Sequence, residues 1–171
     1  MDSVEVVRSA FGGAHMWYNG TVADITDEQA NAVPPGVAWP IGAIMSHVLS
    51  AEDFMINQVV QGKPLVWNDS WKAKVGDDVM FEMTAENARG YNASVSGLAE
   101  YGRAVFENTE GFLAGLTATD LDREVNLKSV GFPNNMSLGV FLTSMLLGNT
   151  YAHTGEISCL KGSLGNKGYP F

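Results

Sequence analysis

The sequence predicts an all-α protein, a four-helix bundle with long connections. Three observations carry that prediction. Four stretches repeat apolar residues at steps of three and four, the period of a helix that buries one face. Proline, glycine and turn-forming residues cluster between those stretches. The chain has 171 residues, 46% hydrophobic and 17% charged, enough for one packed core and unlike a disordered composition. No internal repeat, low-complexity tract or linker divides it, so residues 1–171 read as a single domain.

The first helix is marked by Val4, Val7, Phe11, Ala14, Tyr18, Val22 and Ile25, with Asp2 and Glu5 spaced as a capping pair. Thr26–Pro40 carries Asp27-Glu28, Pro34-Pro35-Gly36 and Pro40, all turn or breaker signals. Trp39-Pro40 opens the second helix, whose apolar face runs from Ile41 through Ile44, Val48, Met55 and Val59 and ends near Gly62. Lys63–Phe81 reads as irregular. Its Trp67 and Trp71 either fold over a site as a lid or bury against the bundle or a partner subunit. Thr84 caps a third helix entering at Ala85-Glu86 and sustained by Tyr91, Leu98, Val105, Phe106 and Leu113 to about Gly115, the longest expected. Arg123–Lys128 alternates polar and apolar residues, a short extended segment. Ser137 then caps the final helix, Leu138 to about Lys161. Glycines 162, 165 and 168 stop regular structure before Pro170-Phe171.

Charge and cysteine content exclude several roles. The formal net charge is −9, and no basic cluster offers the phosphate contacts on which nucleic-acid affinity depends. Neither nucleic acid nor an anionic membrane surface is an expected partner. The longest apolar run, near Met136–Leu147, is short of the ~18 residues of a membrane span. A single cysteine, Cys159, forms no intramolecular disulfide, and the N-terminus lacks a signal-peptide pattern, so a cytoplasmic protein is expected. Cys159 lies six residues from His153, which turns it off that face, and it reads as an ordinary buried cysteine. No phosphate-cradling loop, dinucleotide fingerprint or nucleophile elbow is present.

The chain has three histidines. His15 lies beside the first apolar stripe and His47 at the edge of the second; each is either a packed, hydrogen-bonded residue or part of a site. His153 and Asn149 are four apart in the last helix, which puts both side chains on one face with roughly 5–6 Å between Cβ atoms. In a bundle, side chains from facing helices build metal and cofactor sites in the core.

Two motifs resemble the DinB/YfiT-like superfamily of four-helix bundles, many of them metal-dependent. One is Pro40-Ile41-Gly42-Ala43-Ile44-Met45-Ser46-His47. The other is Asn149-Thr150-Tyr151-Ala152-His153-Thr154-Gly155-Glu156-Ile157, followed by Leu160-Lys161-Gly162 and the Gly165, Gly168, Pro170-Phe171 tail. The resemblance implies one divalent ion (zinc, nickel or iron) held by one histidine of the second helix and two of the last. His47 and His153 match ligand positions. Asn149 stands where the third histidine is usual, and Glu156 where glutamine is usual. A neutral amide offers a transition metal only a weak oxygen, so the ion is expected to be weakly held or absent. Glu156 or His15 would complete the site or move a proton.

Two functions from different classes follow. The resemblance implies a metal-dependent hydrolase or thiol-dependent transferase acting on a small molecule between the second and fourth helices. The alternative is a bundle without a metal that binds a small apolar ligand or serves as a scaffold. The resemblance also implies a homodimer.

Overall fold

The computed structural model describes residues 2–79 and 84–171. Helix α1 spans Ser3–Val22. Its start is fixed reciprocally: the Asp2 carboxylate accepts from the Glu5 amide at 2.9 Å, and the Glu5 carboxylate accepts from the Asp2 amide at 3.1 Å. Each bond satisfies an amide that the first turn otherwise leaves without a partner. Val4, Val7, Phe11, Ala14, Tyr18, Val22 and Ile25 are all buried, as their spacing predicts.

The connection expected over Thr26–Pro40 contains a short helix, α2, Asp27–Asn31. Thr26 and Gln29 form a second capping box there, a signal shorter than the apolar period used to find helices. Pro34-Pro35-Gly36 do break the chain, and Gly36 takes a left-handed φ of 74°. Helix α3, Ile41–Asp53, then begins directly after Pro40 and continues as a π-helical stretch, Phe54–Val60.

Lys63–Phe81 is not irregular throughout. Helix α4 occupies Asp69–Val75, capped by the Asn68 side chain and closed by Gly76 at φ 95°. The end of that expected stretch, residues 80–81, lies outside the described residues. Trp67 and Trp71 pack on Tyr101, with ring centroids at 5.0 and 5.8 Å, so they belong to the bundle wall and form no lid. A glycine makes that packing possible: a Cβ at Gly97 would sit 2.5 Å from the Lys74 carbonyl oxygen.

The long third helix is two helices, α5 Ala85–Gly90 and α6 Val95–Ala114. Thr84 caps the first as expected. The break falls where the Ser94 hydroxyl accepts from the Gly97 amide and Asp27 accepts from the Val95 amide, two caps that start a new helix. The extended segment shrinks to β1, Glu124–Val125, paired antiparallel with β2, Met136–Ser137. Residues 128–130 turn in a 3₁₀ conformation instead of continuing the strand.

The last helical run is the longest. It comprises α7, Leu138–Val140, a π-helical stretch Phe141–Leu146, and α8, Leu147–Ser163. Ser137 holds the N-cap position, although its side chain makes no capping hydrogen bond. The bundle is a ring of contacts in which α1 and α3 each lie between α6 and α8. Lys161, buried in α8, donates to the Thr21 carbonyl at 2.7 Å and to Asp24, tying the end of α8 to the end of α1. No helix among the described residues is long and apolar enough to cross a membrane.

Candidate functional site

The neighbouring pair α3 and α8 brings together four of the five residues singled out above. His47 is contributed by α3, and Asn149, His153 and Glu156 by α8. The imidazole centroids of His47 and His153 are 4.9 Å apart, with the rings at 79°. The Asn149 side-chain amide approaches Nε2 of His47 at 3.5 Å, a long contact. One helical turn beyond, the Glu156 carboxylate accepts from Nδ1 of His153 at 2.6 Å. With Nδ1 engaged by the carboxylate, Nε2 is the ring nitrogen of His153 left for a ligand. Trp39, just before α3, meets the His47 ring edge-on at 6.1 Å.

His15 belongs to a different cluster. Its Nε2 lies 3.1 Å from the Glu52 carboxylate, and its ring stacks on Phe106 at 3.7 Å. Thr109 donates to the other Glu52 oxygen at 2.7 Å. Beside it, Asp53 accepts from Tyr101 Oη at 2.7 Å, Asn57 Nδ2 at 2.8 Å and the Val66 and Trp67 amides at 2.9 Å. Burial first, and then the Asp53 charge, push the Tyr101 phenol well above its ordinary pKa. Four donors on one buried carboxylate anchor the 61–68 connection to the bundle. Glu52 and Asp53 are not among the candidate residues above. Their signal was available: two adjacent charges inside an otherwise apolar helical face.

A cavity of about 330 Å³ opens beside the histidines, lined by Trp39, Ile44, His153, Glu156, Cys159 and Leu160 among others. Cys159 is therefore not a buried cysteine turned away from His153. It is exposed and shares a cavity wall with it. The six-residue spacing separates the two side chains around the helix, but the cavity is wide enough to reach both.

The donor set can be weighed against the expected divalent ion. Two imidazoles on one tetrahedral ion have ring centres on the order of 5 Å apart, given metal–nitrogen distances of ~2.0–2.1 Å. The centroids of His47 and His153 are separated by a similar distance, 4.9 Å. A metal-bound histidine usually donates its other ring N–H to a carboxylate, and Glu156 supplies this for His153. Third in the set is the Asn149 amide. Among the described residues, no group of three or more His, Cys, Asp or Glu side chains forms a metal-holding arrangement. Two imidazoles and one neutral amide are a donor set that would hold a divalent ion only weakly.

Fold and site together define a four-helix bundle with a polar site between its second and last long helices. The family model for the DinB superfamily matches residues 13–157, and the chain belongs to that superfamily. A solved structure described as the conserved protein of locus from Enterococcus faecalis is similar, with a TM-score of 0.80 at 19% identity. The match covers 97% of this chain and 99% of that one. At that identity the likeness shows the fold alone. No curated protein matches the chain.

Proposed function

We propose that the α3–α8 site handles a small molecule with the help of an exchangeable divalent ion, in the manner of a hydrolase or a thiol-dependent transferase. The observation that carries this reading is the edge-to-face pair of His47 and His153, 4.9 Å between centroids, with Glu156 on Nδ1 of His153. When bound, the ion would supply Lewis-acid polarisation and a lowered pKa for a coordinated water or thiol.

The chain's own residues supply the rest. His47 and His153 would hold the ion, with Asn149 at the third position. Glu156 keeps the His153 ring in one tautomer and orientation. Trp39, Ile44 and Leu160 wall the cavity with apolar surface, which strengthens any charge interaction inside it by thinning out water.

Asn149 favours a second reading. Its neutral amide stands beside His47 Nε2 at 3.5 Å and offers a transition metal only a weak oxygen, which supports a ligand-binding bundle that works metal-free. Metal analysis of tag-free protein by mass spectrometry separates the two. The first reading expects uptake of zinc, nickel or iron approaching one per chain in titration, and loss of uptake in both His47→Ala and His153→Ala. Failure to take up any of these ions would leave the metal-free reading.

A further inference from the structure

A second, smaller chamber borders the same polar row. It has a volume of about 180 Å³ and is lined by His47 and Asn149 together with Ala51, Met55, Phe132, Phe141, Met145 and Leu146. Met55 belongs to the π-helical stretch that extends α3, and Phe141, Met145 and Leu146 to the one that precedes α8. Widened helical turns of this kind re-aim side chains and recur at functional sites. Ala51, Met55, Phe141 and Leu146 are each no more than 5% exposed. His153 lines the larger cavity and touches His47 edge to face. One polar row thus borders an apolar chamber and a wider cavity at once.

We propose that this chamber is the specificity subsite for a single aromatic ring of the substrate, whose polar part lies at His47, Asn149 and His153. The inference rests on the small-molecule reading above and adds a substrate class to it. Size supports a ring: an apolar cavity of about 150 Å³ is known to hold one benzene, and this chamber has about 180 Å³. The lining supports it too. Two phenylalanines offer edge-to-face contacts, and two thioethers offer favourable sulfur–aromatic contacts. Among the described lining residues the polar side chains are His47 and Asn149, which suit a substituent leaving the ring.

The test is benzyl alcohol titrated into the intact protein and followed by methionine-methyl NMR. The Met55 and Met145 signals are expected to move together and saturably, while that of Met16, on the exposed face of α1, stays still. Ethanol, which has the hydroxyl but no ring, should move neither. Ala51→Leu fills the chamber and should weaken benzyl alcohol binding by about tenfold or more. Phe132→Ala removes a half-buried wall and should weaken it in the same direction, which keeps the test decisive if Ala51→Leu fails to fold. Equal movement of Met16, no saturable shift, or undiminished binding in the folded variants would overturn the subsite. The titration is repeated after chelation. Ring binding without metal uptake would contradict the ion and leave the subsite; metal uptake without ring binding would do the reverse.

Discussion

A carboxylate 2.6 Å from Nδ1 of His153 decides which nitrogen of that ring is available to the cavity. Glu156→Gln keeps the shape and removes the charge, so it should weaken divalent-ion affinity by about 10–100-fold, the usual effect of losing such an orienting partner. Calorimetric titration measures it, and an unchanged affinity would show that Glu156 does not orient the ring. Cys159 makes a separate prediction. Because the thiol is exposed on the cavity wall, a maleimide should label it in the native protein without denaturant, and a bulky label there should obstruct the cavity. At this scale the sequence was partly readable. Four apart on one helix, Asn149 and His153 had to share a face, and the period of α3 put His47 on the edge of its own stripe. What spacing did not convey was that Glu52, and not the α8 site, would engage His15, because that pairing depends on how α1 packs across the core.

Helices are bounded by their caps, and here the caps carry testable consequences. Ser94→Ala removes the hydroxyl that starts α6 and should cost about 1 kcal/mol, read as a lower denaturation midpoint. Gly97→Ala is expected to cost more, on the order of 1–3 kcal/mol, because its Cβ would meet the Lys74 backbone at 2.5 Å and α4 would have to shift off α6. The same caps explain which elements could be read in advance. The α1 start followed from the Asp2 and Glu5 capping pair, and the α3 start and the end of the last helix from apolar period and breakers. Helices α2 and α4 did not, since five and seven residues are too short to establish a period; Thr26 with Gln29 and Asn68 with Ser70 were the available signals. The break before α6 was hidden because Tyr91, like Ala88 and Leu98, is buried and continues the apolar spacing across it. The π-helical turns left no trace in the sequence that periodicity detects.

Across the whole molecule, polar groups held inside the bundle tie its stability to pH. Burial pushes the phenols of Tyr18 and Tyr101 above their ordinary value, aided by the charges of Glu52 and Asp53. In the unfolded chain they ionise near pH ~10. A raised folded-state pKa means that the stabilisation is fully present below that pH and is lost as pH rises through the folded values. Stability should therefore fall above about pH 10, with these two phenols ionising only as the bundle opens, a behaviour seen by ultraviolet difference absorption during alkaline titration. Full ionisation of all five tyrosines while helicity persists would contradict it. The candidate site likewise exists only in the assembled bundle, since His47 and His153 are far apart in sequence and meet where α3 packs on α8. Its most direct test is titration with Co²⁺ followed by visible absorption, on the native chain, His47→Ala, His153→Ala and Asn149→His. The native protein should show a weak, saturable ligand-field band, both alanine variants should lose it, and Asn149→His should give a tighter, stronger band. A native protein with no band, or one whose band survives both alanine variants, would contradict the assignment of His47 and His153 as a metal-holding pair.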